Sequence, residues 1–335
     1  MARLNQDENS LLQRIARGSG RKQAGKRDGL RLGMGDDAAL FAPRVGWETI
    51  LTCDWFLEGT HFLRDKHPAD AVGWKCLARA VSDIAAMGGQ PRCFLLSLAL
   101  PQTHTGRWLD EFLRGLRRAA RKFNCSLAGG DTTRRKEILI NVTVVGEVRA
   151  GRAVLRSGAK PGDVIFVSGR LGEAERGLRL LRRGETLAGR KDPALKKHLY
   201  PEPRIELGRW LAEKGLATAM MDLSDGLSSD LPRLCAASGV GARVESARIP
   251  LGQTSKLGRE RGSDPLGLAL NGGDDYELLF TAVAHNADVL PKSFRSTELT
   301  PIGKITEKRK IVLLEENGRE RQLFPHGWDP FRTIR

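Results

Sequence analysis

Carboxylates recur beside glycines along this chain. Gly33-Met34-Gly35-Asp36-Asp37-Ala38-Ala39-Leu40 sets two adjacent acids in a glycine-rich turn ahead of an apolar run. Asp131 follows Gly129-Gly130, Asp222 and Asp225 precede Gly226, and Asp274-Asp275 follow Gly272-Gly273. Any one such turn is ordinary, because Gly accepts positive φ and Asp hydrogen-bonds its own backbone. Gathered together, carboxylates repel unless they are protonated or bridged by cations. No Cys or His cluster accompanies them, so all-oxygen ligation of Mg²⁺ or Mn²⁺ is the chemistry they suit, rather than zinc. Loops held by a rigid scaffold can bring such side chains to one point.

The elements that must position them follow from periodicity. Asp7 to Arg17 reads as a short amphipathic helix ended by Gly18-Ser19-Gly20. Thr49–Cys53 is a β-prone strand that delivers Asp54 at its end, with Glu58 to Phe62 in the loop beyond. Pro68 opens a long helix closed by Gly88-Gly89, which carries Asp83 among Ala80, Ala85 and Ala86. A strand from Cys93 to Leu100 and a helix marked by Trp108 to Phe123 come next. Gly129-Gly130-Asp131 then reads as a strand-end turn whose glycines let the backbone approach a phosphate while the acid takes a metal. Ile138 to Val148 alternates as a half-buried strand.

The character changes around Arg156-Ser157-Gly158-Ala159-Lys160-Pro161-Gly162-Asp163, a connector that leads into the strand Val164–Ser168. The boundary between domains is set near 150, giving 1–150 and 151–335. Helices follow from Glu173 to Arg183, Pro203 to Lys214 and Leu227 to Ala237. Met221 to Gly226 lies between a short strand and the third of these helices, where a helix N-terminus suits anions or metal-bound phosphates. The aromatic stretch Phe324 to Phe331 reads as a tail packed on the core.

At 335 residues and 40% hydrophobic content the chain can build two cores. Its net charge of +15 suits nucleic acid or a polyanionic small molecule, and no recognition motif with stacking aromatics singles out the former. Five cysteines, at 53, 76, 93, 125 and 235, contain no C-x-x-C pair and point to reduced thiols in a cytosol. The first residues lack a signal-peptide profile and no apolar run approaches 18 residues, so a cytoplasmic protein with no membrane span is expected. Gly20 to Lys26 has P-loop spacing, but a helix precedes it and Arg27 stands where a Ser or Thr would bind Mg²⁺. It reads as a basic loop.

Taken together, GMGDDAAL (33–40), the Asp54 to Phe62 segment, AVSDIAAMGGQP (80–91), LAGGDTTR (127–134), RSGAKPGD (156–163), MDLSDGLSSDL (221–231), NGGDDYELLF (271–280) and GWDPF (327–331) resemble the thiamine-monophosphate kinase family. That family belongs to the superfamily of aminoimidazole ribonucleotide synthetase. The resemblance implies an α/β (α+β) two-domain architecture, with an N-terminal ATP/Mg-binding and dimerisation domain and a C-terminal α/β domain completing the active site. It implies a homodimer, and ATP-dependent, Mg²⁺-assisted transfer of the γ-phosphoryl group directly to thiamine monophosphate, with no covalent nucleophile or base.

Position by position, the resemblance makes Asp37, Thr52, Cys53, Asp54, Asp83, Asp131, Asp222 and Asp225 metal ligands. Gly130, Asp131, Arg156 and Ser224 would contact ATP, and His61, Asp274 and Trp328 the thiamine substrate. Cys53 stands where relatives often carry a hydroxyl residue, and Asp274 where Glu is common. The competing readings are another ATP-using synthetase of the superfamily and a basic nucleic-acid-binding protein.

Overall fold

The computed structural model describes residues 8–17, 29–34, 38–188, 192–252 and 264–331. Asp36, Asp37 and the Gly20–Lys26 loop lie outside the described residues. The chain divides into two compact units, Met1–Ile84 with Gly89–Gly151, and Ala85–Gly88 with Arg152–Arg335.

The first unit contains α1 (Glu8–Ala16), β1 (Leu30–Leu32), β2 (Leu40–Phe41), β3 (Trp47–Leu57), α2 (Ala69–Ala86), β4 (Gln90–Leu100), α3 (Arg107–Phe123), β5 (Ser126–Arg134) and β6 (Leu139–Arg149). Its main sheet has the order β3-β6-β4-β5, with β4 and β5 parallel and the other pairs antiparallel. Strand alternation buries Ile50 and Phe56 of β3 and leaves Leu51, Cys53 and Trp55 exposed. Helices α2 and α3 cross at glycines. A Cβ on Gly73 would lie 2.0 Å from the Phe112 carbonyl oxygen, and one on Gly115 would lie 1.8 Å from that of Asp70.

Two expectations are corrected by β-pairing. The strand predicted to stop at Cys53 continues to Leu57, because β6 pairs with all eleven residues of β3, so Asp54 is a mid-strand residue. Gly129-Gly130-Asp131 is likewise inside β5 rather than a strand-end turn. Gly130 is required there by β4, since a Cβ would meet the Leu96 carbonyl oxygen at 1.9 Å.

The second unit contains β7 (Val164–Ser168), α4 (Glu173–Arg182), α5 (Pro193–Leu199), α6 (Ile205–Lys214), β8 (Ala219–Leu223), α7 (Leu227–Ser238), β9 (Gly241–Glu245), α8 (Pro265–Asn271), β10 (Glu277–Ala282), α9 (Ala284–Val289), β11 (Ser293–Phe294), β12 (Thr297–Thr306), β13 (Ile311–Leu314) and β14 (Glu320–Gln322). The sheet runs β14-β13-β9-β12-β7-β10-β8, with β11 on β12. Only the β13–β9 pair is parallel.

Strands β8 and β10 are buried along their whole length, which explains their near-continuous apolar sequence. Ile165, Val167, Met221 and Leu279 pack with Leu227, Leu231 and Leu234 of α7. Phe166, Met220, Leu278 and Phe280 pack with Leu207 and Leu211 of α6. No helix among the described residues is long and apolar enough to cross a membrane. All five cysteines are free thiols, and only Cys53 is exposed.

Candidate active site

In the first unit the sheet register sorts the predicted residues onto two faces. Asp54 aligns across the strands with Val142, Leu96 and Gly130. Its face also carries Thr52, whose hydroxyl donates to the Asp83 carboxylate from α2. Asp54 lies 4.0 Å from Arg79, one helical turn before Asp83. These are hard oxygen donors of the type Mg²⁺ takes. Asp131 belongs to the row of Trp55, Asn141 and Ser97 on the other face, is exposed, and accepts from the Thr132 N–H at 2.9 Å. Cys53 shares that face, with its thiol beside Asn141 at 3.2–3.3 Å and Thr143 at 3.5 Å.

The glycine-rich turn enters next to β5: a Cβ on Gly33 would lie 3.8 Å from the Ala128 carbonyl oxygen. His61 closes the loop after β3, its Nδ1 accepting the Leu57 N–H at 3.0 Å. Among the described residues no group of three or more His, Cys, Asp or Glu side chains forms a ready-made metal cage.

The second unit brings most of its predicted residues together. Asp222 is buried in β8 opposite Leu278 of β10. Ser224 and Asp225 form the turn into α7, where Gly226 has φ 101° and a Cβ would crowd the Asn271–Gly272 backbone. The Ser224 carbonyl accepts the Asp274 N–H at 2.8 Å, and the Leu223 carbonyl accepts the Tyr276 N–H at 2.9 Å. The C-terminal tail joins them: the Gly327 N–H donates to Ser229 Oγ at 3.0 Å and the Trp328 N–H to the Asp225 carbonyl at 2.9 Å. Arg156 is exposed in the connector, and its carbonyl accepts from Ser238 Oγ at 2.8 Å.

The turn that leads into α7 is held by a carboxylate of the helix itself. Asp230, fully buried in the first turn of α7, accepts the N–H groups of Ser224 at 3.1 Å and Asp225 at 3.0 Å, and takes a salt bridge from Arg233 at 2.7 Å. Burial, then the neighbouring Asp225 charge, push its pKa up to about 7 despite those bonds. The backbone donors of Ser224 and Asp225 therefore serve the protein itself, and the Asp225 carboxylate takes a salt bridge from Arg233.

The acids after Asp274 are structural, which the sequence did not reveal. Asp275 is buried and caps α4, accepting from Gly172 N–H at 2.6 Å and Ala174 N–H at 3.0 Å. Burial raises its pKa to about 7 against the pull of Lys197 and those two N–H groups. Glu277 is also buried, bound by Lys197, by Arg204 at 2.5 and 2.6 Å, and by Ser168 Oγ at 2.6 Å. Burial alone would raise its pKa, but Lys197 and Arg204 bring it down to about 2. Lys197 comes from α5, a seven-residue helix whose only sequence signal is the Asp192-Pro193 start.

Residues 35–148 match the AIR synthase related protein N-terminal domain, and residues 160–315 the C-terminal domain of the same family. The thiamine-monophosphate kinase of Escherichia coli K12 is 37% identical over 95% of this chain and 97% of its own. The crystal structure of thiamine-monophosphate kinase from Stenotrophomonas maltophilia K279a is 37% identical, with a TM-score of 0.79 over 90% of this chain and 95% of that one. AaThiL complexed with AMPPCP and TMP is 32% identical, with a TM-score of 0.76 over 99% of both chains. Identity of this extent, carried through both units, means that the chain belongs to the thiamine-monophosphate kinase family of AIR synthase related proteins.

Proposed function

We propose that this chain transfers the γ-phosphoryl group of ATP to the phosphate of thiamine monophosphate, giving thiamine diphosphate. The observation that carries this reading is 37% identity to a thiamine-monophosphate kinase over 95% of this chain and 97% of that one. AMPPCP, bound with TMP by a relative of the same length, is an ATP analogue, which fits ATP as co-substrate.

The acceptor phosphate has a second pKa of about 6 and is ionised near neutral pH, so the protein need not supply a base. Its task is to hold two polyanions in line. Mg²⁺, when bound, supplies the charge neutralisation and alignment that this requires. The oxygen donors Thr52, Asp54 and Asp83 fit one such ion, and Asp131 on the other sheet face, with Asp37, Asp222 and Asp225, is assigned to further Mg²⁺ ions. Cys53, a soft thiol beside Asn141 and Thr143, adds least to it. Gly130, Arg156 and Ser224 are assigned to ATP, and His61, Asp274 and Trp328 to thiamine monophosphate. The half-exposed Trp328 indole suits the thiazolium cation, a contact of about 0.5–2 kcal/mol.

The homodimer is assigned to the open face of the first unit's sheet, where Leu51, Trp55 and Leu95 are 70%, 56% and 40% exposed. Free thiols throughout fit a reducing cytoplasm.

The test is purified full-length protein with ATP, Mg²⁺ and thiamine monophosphate, scored for thiamine diphosphate by chromatography. Formation of thiamine diphosphate together with ADP is expected. None formed, in an assay where a known kinase of this family works, overturns the assignment.

A further inference from the structure

We propose that Tyr276 and His198 are positioning residues that fix the Asp274 carboxylate for thiamine monophosphate. The proposal rests on the reading of Asp274 as a substrate contact.

The geometry around Asp274 is built rather than incidental. Tyr276 Oη donates to Asp274 Oδ1 at 2.7 Å. His198 Nδ1 stands 4.0 Å from Asp274 Oδ2, inside electrostatic reach though beyond a direct hydrogen bond. The Tyr276 and His198 side chains are both buried, while Asp274 is half-buried, so the carboxylate is gripped from the protein side. Neither partner can turn away cheaply. His198 neighbours Lys197, which is engaged with Glu277, and α5 packs so closely on α4 that a Cβ on Gly177 would lie 2.8 Å from the His198 Cβ.

The backbone tells the same story. Asp274 and Tyr276 are both left-handed, with φ 68° and 49°, a conformation non-glycine residues adopt at a cost. The N–H bonds of both residues to the β8–α7 junction hold the kink in place. That kink folds the Tyr276 ring back so that its hydroxyl meets the side chain two residues earlier. Strain of this kind collects where a side chain must be aimed. An Asp already held in one rotamer loses less freedom when its ligand arrives, so the benefit falls on substrate binding.

The full-length Tyr276→Phe variant tests this by steady-state kinetics with each substrate varied in turn. The KM for thiamine monophosphate should rise on the order of tenfold, the loss expected for a hydrogen bond to a charged group, with the KM for ATP within about twofold of wild type. Asp274→Asn should raise the same KM, and Tyr276→Phe/Asp274→Asn should be no worse than Asp274→Asn alone, because the two act through one contact. His198→Asn should give a smaller rise, about threefold, again for thiamine monophosphate only, and serves if Tyr276→Phe does not fold. If Asp274→Asn raises this KM and Tyr276→Phe and His198→Asn do not, the positioning role is overturned while Asp274 stays a substrate residue. If Asp274→Asn leaves the KM unchanged, the substrate reading of Asp274 falls and the proposal with it. Equal losses for both substrates in Tyr276→Phe or His198→Asn also overturn it.

Discussion

The backbone N–H of Trp328 donates to the carbonyl of Asp225 at 2.9 Å. One peptide group thus ties the tail that carries a proposed thiamine contact to the turn that carries a proposed metal ligand. Gly327 makes the approach possible, since a Cβ there would lie 2.0 Å from the Asp225 carbonyl oxygen and 2.6 Å from Ser229 Oγ.

Gly327→Ala should therefore displace the tail. It is expected to raise the KM for thiamine monophosphate as Trp328→Ala should, from a few-fold to roughly thirtyfold for a lost contact of about 0.5–2 kcal/mol. Wild-type kinetics in Gly327→Ala would dissociate the tail's docking from substrate binding.

Glu277→Gln removes the buried acid that bridges Lys197 and Arg204. Stranding buried cations costs roughly 3–5 kcal/mol, or a fall in Tm on the order of 10 °C. Thermal unfolding followed by circular dichroism measures this, and a shift under about 3 °C would show that the cations relax to water.

Asp275 predicts a pH dependence with a definite sign. Its pKa is raised from 3.8 to about 7 by burial, so between those values the folded protein binds a proton that the unfolded chain releases. Its stabilising contribution is complete below about pH 4 and is lost as pH rises through about 7. Asp275→Asn should lose that part of the decline in stability between about pH 5 and pH 8, measured as Tm against pH beside the wild type. Parallel curves would refute the shift.

Asp83→Asn and Asp131→Asn should each abolish turnover, by on the order of a hundredfold or more, with Tm within a few degrees of wild type. Asp83 is half-buried and Asp131 exposed, so neither substitution places a new group in the core. Near-normal activity in either variant, measured as thiamine diphosphate formed at saturating ATP, removes that residue from the metal set.

Trp55→Lys places a charge in the middle of the exposed apolar face of β3. Light scattering after size exclusion should show a dimer for the wild type and a monomer for the variant. A variant that stays dimeric would move the interface elsewhere.

The sequence by itself determined the acidic turns, the order of most long helices and strands, and the placement of Asp222 to Gly226 between a strand and a helix. These are local properties. Val164–Ser168 is a strand because four apolar, mostly β-branched side chains run together from Val164 to Val167, and α3 is a helix because Leu109, Phe112, Leu113 and Leu116 fall on one face. Tertiary structure alone decided which acids serve the fold. Asp274, Asp275 and Glu277 look alike in the sequence, yet Asp275 caps a helix that begins about a hundred residues earlier and Glu277 neutralises Lys197 and Arg204. Asp230 likewise ties down the turn before α7 by accepting the N–H groups of Ser224 and Asp225. At Gly130 the parallel pairing of β4 and β5 adds a reason of its own for a glycine, because the Leu96 carbonyl leaves no room for a side chain there. Periodicity reports how a residue faces its own element, whereas the partner of a buried charge or a missing Cβ is set by whichever distant element packs against it.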